Sequence, residues 1–244
     1  MLYFTASAHR PIMTTISANL QAVLSRIDRA ARQYGRDPQD VVLLAVSKTW
    51  PASCVREAVM SGQRAFGENY VQESVEKIAE LHALRELGLA WHFIGPLQSN
   101  KTRVVAENFD WVHSLDRLKI AERLAEQRPV ALPPLSVCLQ VKVSGEATKS
   151  GVSPADAPAL ARAIAGLPRL QLRGLMAIPE ATDDFAAQRL PFRRLREMYE
   201  QLRADGLPLD TLSMGMSHDL EAAIAEGSTL VRVGTAIFGE RNYA

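Results

Sequence analysis

Cysteine is scarce in this chain: Cys54 and Cys138 are the only two among 244 residues. They are far apart and fall in no metal-ligand spacing, which excludes both a disulfide-stapled scaffold and a zinc ribbon. Both read as reduced core thiols of a cytoplasmic protein. The five histidines, His9, His82, His92, His113 and His218, form no H-x-x-x-H pattern, so no metal site is expected. No apolar run approaches the ~20 residues that span a bilayer. Residues 1–12 lack a basic stretch followed by an apolar one, so they are no signal peptide. Charge of one sign is missing too: Lys+Arg number 28 and Asp+Glu 27, a net +1. That balance leaves no footprint for nucleic acid or an anionic membrane, and neither is expected as a partner. Any bound anion must be held locally.

What is present is alternation. Helical periodicity begins after Met13, and Met13 is a plausible alternative start. Residues 1–12 are then a loosely ordered extension, and residues 13–244 a single domain. The first helix is expected over 14–34, with Ile16, Leu20, Leu24, Ile27 and Ala31 on one face and Gly35 ending it. Short apolar runs follow at 41–47, 64–66, 91–95, 111–114, 136–143, 170–178, 211–214 and 230–233. Helical patterns lie between them, near 52–61, 70–87, 99–107, 117–127, 154–166, 184–204 and 218–226. Val71, Val75, Ile78 and Leu81 form one helical face, and Phe192, Leu195, Tyr199 and Leu202 another. Ser153 reads as an N-cap followed by Pro154 at the first helical position. Gly166 and Gly227 read as C-cap positions.

Eight strands alternating with helices imply a parallel sheet with right-handed crossovers. An open doubly wound sheet competes with a closed barrel. Eight strands in one domain of this length favour the barrel, and no G-x-G-x-x-G follows the first strand. The expected fold is α/β, a single-domain (β/α)8 TIM barrel with an extra N-terminal helix.

In such a barrel the chemistry lies where the strands end. The first strand ends in Ser47-Lys48-Thr49. Lys48 is either a solvated end-of-strand residue or an amine made nucleophilic by desolvation and able to form an imine. If it points inward, Val46, Leu44 and Val42 do as well. The last two units carry Leu212-Ser213-Met214-Gly215-Met216-Ser217 and Val233-Gly234-Thr235. Glycine with hydroxyl residues at these places suits a phosphate. Ser217 reads equally as an N-cap, and Gly234 with Thr235 as a turn closing the barrel. Arg232 lies inside an apolar strand and needs a partner. A carboxylate such as Glu68 would serve, or Arg232 donates to a heteroaromatic nitrogen.

Five segments carry a family resemblance: Ala45-Val46-Ser47-Lys48-Thr49, Phe66-Gly67-Glu68-Asn69-Tyr70-Val71-Gln72-Glu73, the stretch from Trp91 to Lys101, Leu212 to Ser217, and Gly227 to Gly239. From about Met13 to the C-terminus the chain resembles the pyridoxal phosphate homeostasis protein family, single-domain relatives of the alanine racemase barrel. The resemblance implies pyridoxal 5′-phosphate (PLP) as cofactor, held as a Schiff base on Lys48. It implies Ser213, Gly234 and Thr235 near the phosphate and Arg232 facing the pyridine nitrogen. Asn69 and the 95–100 loop match positions lining the site. One departure is Lys142, where the family commonly has Asn; a second lysine at a strand end competes for the aldehyde.

The same resemblance implies a PLP carrier without catalytic residues, serving apo PLP-dependent enzymes, as a monomer or weak dimer. Arginine does not give up its proton, so it leaves the ring nitrogen unprotonated and the ring a weak electron sink. Racemisation needs an acid/base group on each face of the substrate carbanion. In alanine racemases the second group is a tyrosine of an additional C-terminal domain, for which this chain, ending soon after Gly239, is expected to leave no room; Tyr243 is a weak substitute. An amino-acid racemase or decarboxylase, and a Schiff-base aldolase, are the alternatives.

Overall fold

The structure, a computed structural model, describes residues 15–144 and 150–240. The extension expected over residues 1–12, the alternative start Met13 and the tail residue Tyr243 lie outside the described residues.

Eight parallel strands close into a barrel in chain order. They are β1 (Val42–Val46), β2 (Ala65–Glu68), β3 (Ala90–Phe93), β4 (Trp111–Leu115), β5 (Leu135–Gln140), β6 (Leu170–Met176), β7 (Thr211–Ser213) and β8 (Leu230–Val233). β8 pairs with β1, Leu44 opposite Arg232, and so seals the sheet. The expected TIM barrel is therefore the observed one. Its strands were legible because those covered on both faces run almost continuously apolar. β5 is buried at every position.

The helices are α1 (Thr15–Gln33), α2 (Ala52–Met60), α3 (Val71–Glu80), α4 (Thr102–Asn108), α5 (Leu118–Gln127), α6 (Ala157–Ala165), α7 (Phe185–Ala204), α8 (Leu220–Ala225) and α9 (Thr235–Phe238). α1 is the extra helix. It packs on α8 and α9, tied by Asn19 Nδ2 to the Ile237 carbonyl at 3.0 Å and by an Arg26–Glu221 ion pair. Gly35 follows it at φ +68°, as a C-cap glycine should.

Four details depart from expectation. Val23 is buried in α1 where Leu24 was expected, and Leu24 is 39% exposed. Ser153 caps a turn rather than a helix: its Oγ accepts from Asp156 N, and α6 begins only at Ala157. The buried face of α3 and its cap is Ser74, Lys77, Ile78 and Leu81, with Val71 and Val75 half-buried. Gly234 and Thr235, for which a turn was one reading, instead open the short helix α9.

Along β1, Val42 lines the N-terminal mouth of the barrel, Leu44 is fully buried, and Val46 lines the C-terminal mouth. Alternation therefore carries the inward face from one mouth to the other. Above Leu44, position 67 is tight, because a Cβ on Gly67 would lie 3.1 Å from Ile94 Cδ1 and 3.2 Å from Leu44 Cδ2. Branched apolar side chains usually fill such an interior. Here part of it is polar, and His92, His113, Ser213 and Arg232 are all buried.

Candidate functional site

A cleft of about 230 Å³ opens at the C-terminal ends of the strands. Lys48, Asn69, Arg232, Gly234 and Thr235 line it, with Val46 and Ile94 beneath. Segments distant in sequence, at the ends of β1, β2, β3 and β8, meet there because each ends or follows a different strand.

Lys48 occupies a tight turn. Trp50 N donates to the Ser47 carbonyl at 3.1 Å, and Thr49 has φ +68°. Among the described residues only Arg169 shares that property without being glycine. A positive φ at the third position and an i to i+3 hydrogen bond make a type II turn, which favours Gly or Asn there. A β-branched Thr in this region costs about 1–3 kcal/mol and persists only where its surroundings impose it.

The surroundings do. Glu73 Oε1 accepts from Thr49 N at 2.6 Å. Lys77 Nζ donates to the Ser47 carbonyl at 2.8 Å, to Glu68 Oε1 at 2.6 Å and to Glu73 Oε1 at 3.0 Å. Ser47 Oγ donates to Glu68 Oε1 at 2.7 Å. Burial raises the Glu68 carboxyl above its ordinary value, and Lys77 works against that rise. The Trp50 ring stacks on Phe238 of α9 at 6.0 Å, coupling this turn to the 234–238 segment.

Arg232 is held rather than paired. Its Nη1 donates to the carbonyl and Oγ of Ser213 at 2.6 and 2.8 Å, and its Nη2 to the Ala177 carbonyl at 2.9 Å. A guanidinium has five N–H donors, so two remain for the cleft. Burial lowers its pKa to about 10, with Asp219 acting in the opposite direction, so it stays cationic at neutral pH. Glu68 is not its partner, because that carboxylate is engaged by Lys77 and Ser47.

Behind Arg232 a hydrogen-bonded column runs down the barrel. Ser213 Oγ meets His113 Nδ1 at 2.7 Å, and His113 Nε2 meets His92 Nδ1 at 2.9 Å. One assignment accounts for all three bonds: Ser213 accepts from Arg232 and donates to His113, which donates to His92. Burial holds both rings neutral, His92 down to about 3.

On the opposite wall Gly234 packs against β1, where a Cβ would lie 3.1 Å from the Val46 carbonyl oxygen. The amides of Thr235 and Ala236 open α9 and have no carbonyl one turn back to bond. Asn69 is fixed by Gly95, whose Cβ would fall 2.4 Å from the Asn69 carbonyl oxygen. Asn69 Oδ1 is buried without a partner.

Of the six residues singled out in the sequence, five share the cleft. Ser213 does not line it; its hydroxyl is buried under Arg232 in the column just described. The 95–100 loop stands beside the cleft, with Pro96 and Gln98 lining a neighbouring cavity that Asn69 also borders. Lys142 is not among the lining residues. Ser217 and His218 do line it, and α8 starts at Leu220, so Ser217 belongs to the preceding turn. His218 was missed; its only signal in the sequence was the position just after Ser217. Both cysteines are free thiols, and burial pushes Cys138 up to about 12. Among the described residues no helix is long and apolar enough to cross a membrane, and no group of side chains could hold a metal ion.

The family model for the alanine racemase N-terminal domain matches residues 18–242. The pyridoxal phosphate homeostasis protein of Pseudomonas aeruginosa is 64% identical over 231 residues, covering 95% of this chain and 98% of its own. The protein of that name from Escherichia coli K12 is 54% identical over 232 residues, covering 95% and 99%. The structure of PipY from Synechococcus elongatus with PLP bound superposes with a TM-score of 0.81 at 41% identity, covering 92% of this chain and 100% of PipY. Alanine racemase from Corynebacterium glutamicum, at 17% identity and a TM-score of 0.64 over 62% of its length, shares the fold.

Proposed function

This chain belongs to the pyridoxal phosphate homeostasis protein family, and from that premise we propose that it holds PLP in the C-terminal cleft, bound covalently to Lys48, as a cofactor reserve rather than a catalyst. One observation carries the reading: the cleft brings together an amine, a buried cation with spare donors and a loop rich in N–H and hydroxyl groups. When bound, PLP supplies an aldehyde with which a lysine amine condenses.

The residues fit that group. The start of α9 offers the Thr235 and Ala236 amides and the Thr235 hydroxyl to a phosphate, and Ser217 lies on the same rim. Arg232 presents its remaining N–H groups toward a ring nitrogen and is held in that orientation by Ser213 and Ala177. Asn69 offers an unpaired oxygen to a hydroxyl. In this reading Ser213 acts through Arg232, because its hydroxyl is buried beneath that guanidinium. An arginine at the ring nitrogen disfavours its protonation and with it sustained carbanion chemistry. Exchange with free amines stays open through the barrel mouth, which suits release of PLP to apo-enzymes.

The test is an absorbance spectrum of purified protein, then borohydride reduction and peptide mass mapping. The protein should be yellow, the label should lie on Lys48, and Lys48→Ala should lose colour while staying folded. A label confined to Lys142 would overturn the assignment. One observation favours a racemase instead: His218 lines the same cleft and is a second group able to move a proton there. Incubation with a panel of L-amino acids separates the two readings, since sustained chiral inversion over many protein equivalents requires turnover.

A further inference from the structure

Resting on the reading of Lys48 as the attachment point, we propose that Glu73 and Lys77 of α3 are positioning residues for the Lys48 amine, acting by forcing the Ser47–Trp50 turn into its strained form.

The sequence alone gives α3 no reason to bury a lysine. Lys77 nonetheless lies on its inner face, 4% exposed, with its ammonium against the Ser47 carbonyl and two carboxylates. The contacts bracket Lys48: Ser47 is gripped at its carbonyl and at its hydroxyl, and Thr49 at its amide. Lys48 lies between these grips at the second position of the turn, so its Cα–Cβ direction follows the turn's geometry. Thr49 at φ +68° resists that geometry, because a β-branched residue strongly disfavours the left-handed region. Without the Glu73 acceptor the turn should relax toward negative φ at Thr49 and carry the Lys48 Cβ away from the cleft. Small displacements of a reacting group cost large factors in rate, up to about a hundredfold per ångström.

The alternative is that the cluster only stabilises the barrel. Glycine at position 49 separates the two, because glycine adopts a positive φ without cost and holds the turn unassisted. Glu73 is the variant of choice, since its side chain is a third exposed and its loss leaves no buried cavity. PLP is added to cofactor-free protein, and covalent attachment at Lys48 is followed by absorbance and borohydride mapping. Loss of a hydrogen bond to a charged group predicts that Glu73→Ala weakens attachment by about one to two factors of ten. Glu73→Gln, which keeps an acceptor oxygen, should recover most of this. The Glu73→Ala/Thr49→Gly double variant should also recover most of it. Attachment by Glu73→Ala equal to wild type, or a double variant no better than Glu73→Ala, overturns the proposal.

A second readout does not depend on PLP. Hydrogen exchange at the Trp50 amide, whose bond to Ser47 closes the turn, should accelerate about tenfold or more in Glu73→Ala and slow again in the double variant. If wild type takes up no PLP, the functional reading fails and this exchange pattern alone decides the positioning role: its presence sustains the role, its absence overturns it.

Discussion

The two mouths of the barrel are made by the same eight strands and treat their polar groups in opposite ways. The N-terminal mouth holds the larger cavity, about 540 Å³ against about 230 Å³. Its prominent polar groups are matched. Arg173 pairs with Asp210 at 2.5 Å and lies 4.8 Å over the Trp111 ring, which stacks on His92 at 5.2 Å. Arg36 donates to the Ile224 and Ser228 carbonyls. At the C-terminal mouth an unpaired Asn69 oxygen and a guanidinium with spare donors border the smaller space, and a strained Thr49 follows the lysine that lines it. Size therefore does not mark the site. What marks it is groups whose needs the fold leaves unmet, the places where local rules are broken for function. The N-terminal side has exceptions of its own, Arg169 at φ +64° with an unpartnered Nε and the buried Trp91 Nε1, but neither lines the cavity of that mouth.

The largest effect expected from this contrast is in acid. His92 is buried with its pKa near 3, against 6.5 when exposed. Above pH 6.5 both forms are neutral, and the histidine contributes no pH dependence. Below that, the unfolded chain takes up a proton that the folded ring refuses. Stability then falls by up to about 1.4 kcal/mol per pH unit until the pH nears the folded value. Denaturant melts of wild type and His92→Phe between pH 7 and 4 should show the shallower decline in the variant. Parallel slopes would mean that the ring is protonated inside the barrel.

At the other mouth the effect should fall on binding and not on folding. Thr235 is exposed in the structure, so Thr235→Ala should leave the melting temperature of cofactor-free protein nearly unchanged. PLP retention should weaken by about one to two factors of ten if the hydroxyl meets the phosphate. Pyridoxal, lacking that phosphate, should bind poorly to wild type and show no further loss in the variant. Equal affinity for PLP and pyridoxal would remove phosphate from the account of this site.

How much of this was legible beforehand follows from how local each signal is. The barrel was readable because β1 and β5 announce themselves as apolar runs and α7 as a periodic face. Lys48, Arg232 and the 234–235 segment stood out because each breaks a local pattern. The 235–238 helix did not, since four residues opening on a glycine look like a turn. The column from Arg232 to His92 was invisible because its members come from β8, β7, β4 and β3, and only barrel closure aligns them. The burial of Ser213 beneath Arg232 was unreadable for that reason: a hydroxyl at a strand end can face the cleft or the interior, and its neighbours on other strands decide. Lys77 was unreadable for the same cause, its partners lying on β2, on its own helix and after β1.

A smaller effect should come from Arg173. Its ion pair with Asp210 is substantially exposed, and its stacking on Trp111 is at the barrel rim. Such contacts contribute about 1 kcal/mol or less each. Arg173→Ala should lower stability by that order while leaving PLP attachment at wild-type level. A large loss of PLP in this variant would show that the two mouths are coupled, with His92, His113 and Ser213 as the physical connection.

The smallest expected change, and the sharpest comparison, is at Asn69. Removing a buried polar side chain usually costs stability because its former partners are left unsatisfied. Asn69 Oδ1 has no partner to abandon, so Asn69→Ala relieves a desolvated oxygen while losing some packing of a half-buried residue. The two effects oppose, and the stability of cofactor-free protein should shift by no more than about 0.5 kcal/mol. In the PLP-bound protein the balance should change if the oxygen then accepts from a hydroxyl of PLP. A neutral hydrogen bond contributes about 0.5–1.5 kcal/mol, so PLP should bind about two- to tenfold more weakly. Thermal melts with and without PLP measure both quantities in one preparation. A variant clearly less stable than wild type without PLP would mean that the oxygen is already satisfied in the empty cleft, and Asn69 would then belong with the matched groups of the opposite mouth.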